Sequence, residues 1–139
     1  MKRRFYLDTC IWRDYYENRS DNFRPLGEWA LFLINKINDN KEIILYSSFV
    51  IDELNKHYDE KKIVNMFEPF QNKGLLIKVD ILKYQVVEAK KLSLFRNIPF
   101  GDALHAIIAR DNKAIFITRD KHALELLDIV IVKKPEDLL

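Results

Sequence analysis

The chain has few of the residues that interrupt or cross-link a fold. Among its 139 residues are three glycines, four prolines and a single cysteine, Cys10. One cysteine excludes an internal disulfide and a zinc cluster built on thiolates, and it is typical of a protein that works in the reducing cytoplasm. We predict that Cys10 is a buried, small apolar residue. No segment has the composition of a flexible linker, so residues 1–139 are expected to form one domain.

The sequence also lacks a long apolar run and a large net charge. No uncharged apolar stretch approaches the roughly 20 residues that cross a bilayer, so we expect no membrane contact. The short run after Lys2, Arg3 and Arg4 is unlike a signal peptide. Lysine and arginine number 23 against 21 for aspartate and glutamate, a formal net charge of +2. Any contact with a nucleic acid must therefore come from local patches rather than from the overall field.

What the sequence does contain is a set of short apolar runs that alternate with longer helical patterns. The predicted strands are residues 5–7, 43–46, 75–77, 115–117 and 129–132. The predicted helices are residues 12–18, 26–37, 48–58, 63–70, 81–95, 101–112 and 121–127. Continuous rather than alternating apolar strands indicate a sheet covered on both faces, and helical crossovers allow parallel pairing. We predict an α/β fold, a three-layer sandwich with a central parallel five-stranded sheet.

Four acidic residues from separate segments are expected to meet at one edge of this sheet. Asp8 directly follows the first predicted strand, and Asp120 follows the fourth. Asp102 lies at the start of the helix that leads into the fourth strand. Glu53 lies about five residues into the helix after the second strand, roughly 8 Å along its axis, from where its side chain can reach back. In parallel sheets the functional edge is formed by the carboxyl ends of the strands.

Each acid alone has an ordinary explanation. Asp8, Asp102 and Asp120 are each placed to cap a helix, and a helical glutamate such as Glu53 is usually exposed. Those explanations do not account for four acids that converge on one edge, where their repulsion calls for a neutralising cation. The pattern offers oxygen ligands and neither thiolates nor clustered imidazoles. It therefore favours Mg²⁺ or Mn²⁺ and disfavours zinc.

Four blocks of the sequence carry a further indication. They are YLDT at 6–9, SSFVIDEL at 47–54, IPFGDALHA at 98–106 and ITRDK at 117–121. Together these blocks resemble the PIN-domain family, in particular its VapC-type toxins, and they occur in the family's order. Two positions depart from the family's usual residues, namely Cys10 and Arg119, but neither removes an acid.

The resemblance implies a Mg²⁺- or Mn²⁺-dependent endoribonuclease. Its metal ligands and catalytic residues would be Asp8, Glu53, Asp102 and Asp120, with Thr9 and Thr118 as supporting polar residues. It also implies a homodimer and inhibition by an antitoxin protein that covers the active-site groove. On this hypothesis a metal-activated water attacks the phosphodiester in line and leaves 3′-hydroxyl and 5′-phosphate ends.

The expected substrate is RNA, more readily single-stranded than structured, because a groove at a sheet edge accepts flexible strands. Candidate phosphate contacts, with ordinary solvated charge as an equal alternative, are Arg13, Lys56, Arg96, Arg119 and Lys121.

The sequence gives weaker indications of function for the aromatic side chains and histidines near the acids than for the acids themselves. Stacking on bases is open to Tyr6, Trp12 and Tyr15, but core packing is favoured for each. His57 and His105 are spaced to lie beside Glu53 and Asp102. For both, simple packing is favoured over hydrogen bonding to the acids, and hydrogen bonding over direct metal ligation. His122 is expected at the surface of a first helical turn.

Other functions stay open at this point. Asp80 follows the third predicted strand, as in a receiver domain that accepts a phosphoryl group, but receivers have two acids after the first strand and here Thr9 and Cys10 follow Asp8. A haloacid-dehalogenase-like phosphatase is disfavoured because Cys10 occupies the position of its second acid. A catalytically silent PIN fold that only binds RNA or protein is the remaining alternative.

Overall fold

The computed structural model describes residues 2–139, and in this range a five-stranded sheet lies between two layers of helices. The strands are β1 (Arg4–Leu7), β2 (Ile43–Tyr46), β3 (Leu76–Lys78), β4 (Ile115–Ile117) and β5 (Val132–Lys133). The α-helices are α1 (Thr9–Glu17), α2 (Leu26–Asp39), α3 (Ser48–Leu54), α4 (Glu60–Gln71), α5 (Lys83–Arg96) and α6 (Phe100–Asp111). Short 3₁₀ helices follow β4 at Lys121–Leu126 and β5 at Pro135–Leu138. The predicted α/β fold class is confirmed.

The order of the strands creates a crevice in the middle of the sheet. All pairs are parallel, in the order β3-β2-β1-β4-β5. Helices α1 and α2 pack together, as do α5 and α6, and right-handed crossovers place these two pairs on opposite faces of the sheet. From β1 the chain continues to β2 on one side, whereas from β4 it continues to β5 on the other side. Connections that diverge in this way open a crevice outside the carboxyl ends of β1 and β4.

The core is built around the central strand. Three consecutive residues of β1, Phe5, Tyr6 and Leu7, are completely buried, since helices cover both faces there. Trp12 of α1 is also fully buried and packs against Phe67 of α4, with ring centroids 4.6 Å apart. Full burial of a large apolar side chain contributes about 1.5–3 kcal/mol to stability. Core packing, the favoured prediction for Tyr6 and Trp12, is confirmed.

Several predicted elements differ from the observed ones. The fifth strand was expected over 129–132, but strand pairing reaches only Val132–Lys133, because the backbone turns at Ile129, whose N–H donates to the Leu126 carbonyl. Coverage of both sheet faces is wrong for β3, which is an edge strand and leaves Ile77 42% exposed. The helix predicted over 48–58 ends at Leu54, and that over 121–127 is 3₁₀. None of the helices in residues 2–139 has the length and apolar character needed to cross a bilayer.

Candidate metal centre

A cavity of about 470 Å³ lies at the carboxyl ends of β1 and β4. Each of the four predicted acids contributes to its wall. The lining residues are Asp8, Thr9, Cys10, Arg13, Glu53, Lys56, His57, Asp102, Arg119 and Asp120. The cavity therefore gathers residues from the ends of two strands and from the starts or ends of three helices, α1, α3 and α6.

Each carboxylate oxygen of Asp8 accepts a hydrogen bond, one from a side chain and one from the backbone. The parallel register of β1 and β4 pairs Leu7 with Ile117, which places Asp8 beside Thr118. The Thr118 hydroxyl donates to Asp8 Oδ2 at 2.6 Å, and the Thr9 backbone N–H donates to Asp8 Oδ1 at 2.7 Å. Asp8 is thus the N-cap of α1 as well as a wall of the cavity. Capping and a place in the site do not exclude each other here.

Glu53 lies in the last turn of α3 and is held on one of its oxygens. Its Oε1 accepts a hydrogen bond from the Thr9 hydroxyl at 2.7 Å and lies 2.5 Å from His105 Nε2. Burial by itself raises the pKa of Glu53, but the hydrogen bond and charge of His105 together with the Thr9 hydroxyl outweigh it, so the pKa is lowered. The structure thus brings Thr9 into contact with Glu53 and Thr118 into contact with Asp8.

Asp102 does not cap α6, because the N-cap of this helix is Pro99. It is the third residue of α6, and its Oδ2 is buried yet has no hydrogen-bond partner among residues 2–139. Burial and the negative charges of Asp120 and Asp8 raise the pKa of Asp102 to about 7. Asp120 itself caps the 3₁₀ helix by accepting from the His122 N–H at 2.9 Å.

The donor set fits a divalent cation that prefers oxygen. One group of ligand atoms comes from Asp8, Glu53 and His105, and a second from Asp102, Asp120 and His122; within each group the atoms lie within 4.8 Å of one another. A buried, unpartnered carboxylate oxygen and a strongly raised carboxyl pKa both report negative charge that lacks a counter-ion. Hard ions such as Mg²⁺ and Mn²⁺ are held by carboxylates in this way.

Three of the five predicted phosphate contacts line the cavity. Arg13 and Lys56 line the cavity. The Arg119 guanidinium also reaches the cavity wall, but it binds Asp14 at 3.2 Å and Glu136 at 2.9 Å and lies over the Trp29 ring. Arg119 thus links a carboxylate of α1 to one of the C-terminal 3₁₀ helix, and its use as a phosphate contact stays a prediction.

Two other predicted phosphate contacts lie away from the cavity. Arg96 binds both carboxylate oxygens of Asp128 at 2.7 Å, at the far end of α5. Lys121 lines a neighbouring groove together with Lys133 and Lys134. Neither side chain is among those that line the acidic cavity.

His105 has a role that the sequence reasoning ranked too low. It is 1% exposed, as packing predicts, but both ring nitrogens are engaged: Nε2 with Glu53, and Nδ1 with the Tyr6 hydroxyl at 2.7 Å. Burial by itself lowers the pKa of His105, yet the Glu53 hydrogen bond and the charges of Asp8, Glu53 and Asp102 raise it overall. The spacing of His105 from Asp102 was the available signal. Only the tertiary structure shows that it meets Glu53.

Cys10 and His57 line the cavity, and His122 lies near Asp102 and Asp120. Cys10 is partly buried at the cavity wall, 3.8 Å from Asp8 Oδ2, and burial together with the Asp8 charge raises the pKa of its thiol. Such a thiol is protonated and a poor nucleophile. His57 lines the cavity from the turn after α3, and His122 lies in the first turn of the 3₁₀ helix, where a surface residue was expected.

The receiver-domain alternative is wrong. Asp80 is exposed and follows β3, which is the edge strand and is separated from β1 by β2. A receiver has the strand order 2-1-3-4-5 with its ligand at the β1/β3 switch point. The observed order leaves Asp80 two strands away from Asp8, so the two cannot form one phosphoacceptor site.

Known proteins share the fold of this chain. A family model described as the PIN domain matches residues 5–128. A comparison with curated proteins gives no significant match. Among solved structures, VapBC2 from Rickettsia felis bound to a DNA fragment from its promoter superposes with a TM-score of 0.67 at 16% identity, covering 94% of this chain and 98% of that one.

Two further structures are similar. FitAcB from Neisseria gonorrhoeae has a TM-score of 0.59 and 16% identity, and the match covers 95% of this chain and 98% of that one. A toxin-antitoxin complex from Klebsiella pneumoniae has a TM-score of 0.60 and 16% identity over 94% of this chain and 97% of that one. At such identities the likeness concerns the fold.

Proposed function

Since the chain belongs to the PIN-domain family, we propose that it is a divalent-metal-dependent endoribonuclease and the toxin of a toxin–antitoxin pair. The observation that carries the proposal is the meeting of Asp8, Glu53, Asp102 and Asp120 at one cavity, with an unpartnered buried oxygen on Asp102. Four acids from four separate segments leave a concentration of negative charge that costs stability unless a cation neutralises it. We therefore infer that this cluster of carboxylates is a metal-binding site.

The residues that would hold Mg²⁺ or Mn²⁺ are the four carboxylates. A bound divalent ion supplies an activated water, neutralises the phosphate and stabilises the leaving oxygen. The chain's own part is to orient the carboxylates: Thr118 and the Thr9 N–H hold Asp8, while the Thr9 hydroxyl and His105 hold Glu53. Cys10 offers no alternative nucleophile, because the pKa of its buried thiol is raised.

RNA would be held by cationic side chains at the rim of the cavity. Arg13 and Lys56 line it on the side of α1 and α3. Lys121, Lys133 and Lys134 line the adjoining groove, which shares Thr118, Arg119 and Asp120 with the cavity wall. An open groove with lysines at one end and an acidic cavity at the other suits a flexible single strand better than a rigid duplex.

The partners are proposed from the structural neighbours. The Klebsiella pneumoniae structure is described as a toxin-antitoxin complex, and we propose a cognate antitoxin for this chain as well. We also propose a homodimer and a cytoplasmic location, the latter supported by the single reduced cysteine.

Cleavage of a panel of single-stranded and structured RNAs, with Mg²⁺ or Mn²⁺ and with EDTA, tests the proposal. We expect cleavage only with metal, and 3′-hydroxyl and 5′-phosphate products. Removal of an essential metal ligand costs several kcal/mol of transition-state stabilisation, so Asp8→Asn and Asp102→Asn should each reduce the rate at least about 100-fold. The matched control is Asp80→Asn, an exposed acid outside the site, which should cleave like the wild type.

Two results would contradict the proposal. If Asp8→Asn and Asp102→Asn both retain metal-dependent cleavage, the assignment of the catalytic metal site to these carboxylates is wrong. A wild-type protein that binds RNA but cleaves no member of the panel with either ion would favour a silent binding module.

A further inference from the structure

A chain of hydrogen bonds leads from the buried core to Glu53. It starts at Ser47, just after β2, whose Oγ lies 2.7 Å from the Tyr6 hydroxyl. The Tyr6 hydroxyl lies 2.7 Å from His105 Nδ1, and His105 Nε2 lies 2.5 Å from Glu53 Oε1. Tyr6 and Ser47 are completely buried and His105 is 1% exposed. Residues from β1, from α6 and from the start of α3 thus form one hydrogen-bonded chain that ends at Glu53 in the cavity.

The direction of the last hydrogen bond follows from the groups involved. The ionised Glu53 carboxylate only accepts, so His105 Nε2 must carry the hydrogen. The Nδ1 atom can then accept from the Tyr6 hydroxyl, which in turn accepts from Ser47. With both ring nitrogens protonated the Tyr6 and Ser47 bonds reverse, but the bond from Nε2 to Glu53 is unchanged. Either way, the imidazole donates to Glu53.

We infer that His105 is a positioning residue that fixes the Glu53 carboxylate for the metal. Two donors converge on Oε1, the Thr9 hydroxyl and His105 Nε2, whereas Oε2 makes no hydrogen bond within residues 2–139. A carboxylate held on one oxygen presents the other to the cavity in one orientation. Tyr6 and Ser47 prevent the buried ring from turning its Nε2 away from Glu53.

This role differs from direct ligation. His105 Nε2 lies 3.7 Å from Asp8 Oδ1, so the ring is close enough to the acids to be considered as a ligand itself. Ligation through Nε2 would require loss of its hydrogen and of the Glu53 hydrogen bond. The buried donor–acceptor chain on the opposite side of the ring keeps Nε2 aimed at the carboxylate instead.

The inference rests on the proposed metal site, and the first experiment uses the wild-type protein. Nitrogen-15 NMR of the histidine rings identifies which nitrogen carries hydrogen, and Mg²⁺ is the probe because it does not broaden the spectrum. We expect His105 Nε2 to stay protonated when Mg²⁺ is added, while the environment of the Glu53 carboxylate changes. Loss of the Nε2 hydrogen on Mg²⁺ addition would overturn the inference in favour of ligation.

A matched pair of substitutions separates positioning from packing. In His105→Gln the amide NH₂ lies near the former Nε2 and can still donate to Glu53. In His105→Asn the amide lies near the former Nδ1, facing Tyr6, and the donor to Glu53 is lost. Both remove the ring, so a purely structural role predicts equal damage. Loss of a residue that orients a metal ligand typically weakens metal binding roughly 10–100-fold.

We expect the Mn²⁺ dissociation constant of His105→Asn, measured by calorimetric titration, to rise about tenfold more than that of His105→Gln. Unfolding in urea with EDTA checks that both variants fold. If the buried changes prevent folding, Tyr6→Phe keeps the aromatic packing, frees the ring, and should weaken Mn²⁺ binding by a smaller factor. Equal affinities in the Gln and Asn variants, or no loss in Tyr6→Phe where those variants do not fold, would overturn the inference.

The outcomes distinguish this inference from the function on which it rests. A wild-type protein that binds no Mn²⁺ at millimolar concentration contradicts the proposed metal site itself. A wild-type protein that binds Mn²⁺, with His105→Gln and His105→Asn alike, leaves the metal site standing and removes only the role of His105.

Discussion

Neutralising Asp102 should stabilise the metal-free protein. The pKa of Asp102 is about 7, against an ordinary value of 3.8, because burial and the charges of Asp120 and Asp8 oppose its ionisation. Each pH unit of such a difference corresponds to about 1.4 kcal/mol, so the largest possible gain is about 4 kcal/mol. Because Asp102 is only partly buried, solvent screens part of the repulsion, and we expect about 1–2 kcal/mol for Asp102→Asn at pH 8.

The stability gained by Asp102→Asn should depend on pH. A carboxyl whose pKa is raised on folding binds its proton more tightly in the folded state. Its favourable contribution is complete below pH 3.8 and is lost as the pH rises through 7. The advantage of Asp102→Asn over the wild type should therefore be near zero at pH 4, grow up to pH 7, and stay constant above it.

Thermal unfolding in EDTA measures this difference. For a chain of this size 1–2 kcal/mol corresponds to a rise in Tm of about 3–8 °C. Excess Mn²⁺ should reverse the order, because the wild type gains binding free energy that the variant has lost. Asp80→Asn, which changes an exposed acid far from the cavity, should leave Tm unchanged. An Asp102→Asn protein no more stable than the wild type at pH 8 in EDTA would refute the reasoning.

Two further predictions concern proton release and the support of α1. Below pH 7 Asp102 must lose its proton before it binds a metal, so the apparent Mn²⁺ affinity should fall about tenfold for each pH unit between 7 and 5; a titration curve that is flat over this range would contradict it. Asp14 is 2% exposed and binds both Arg19 and Arg119. Since Asp14→Asn removes the carboxylate that binds Arg19 and one of the two carboxylates that bind Arg119, urea unfolding should show a loss of about 2 kcal/mol, and an unchanged midpoint would show that the pairs contribute little.

The carboxylate set could be predicted because its position follows from local rules. Asp8 directly follows β1, Asp120 follows β4 after Thr118 and Arg119, and Asp102 lies at the start of a helix that precedes a strand. In a parallel sheet all of these positions lie at one edge, whatever the order of the strands. The apolar runs that mark the strands were sufficient to place them, and the structure brings all four acids to one cavity.

The cationic residues could not be placed in the same way. Arg119 lies next to Asp120 in the sequence, yet its guanidinium turns to Asp14 and Glu136, and Arg96 reaches Asp128. A long, flexible side chain samples many positions, and its choice of partner depends on which acids lie within reach after folding. Adjacency in sequence therefore carries little information about where such a charge is used.

By itself, the sequence determined the layered α/β architecture, the caps formed by Asp8 and Asp120, and the edge at which the acids gather. These features depend on hydrophobic periodicity and on residues close in the chain. The tertiary structure alone decided the strand order, which places the crevice between β1 and β4 and moves Asp80 away from it. It also decided the meeting of Ser47, Tyr6, His105 and Glu53, because hydrogen bonds between elements 41 to 99 residues apart depend on how the packed helices and strands are aligned.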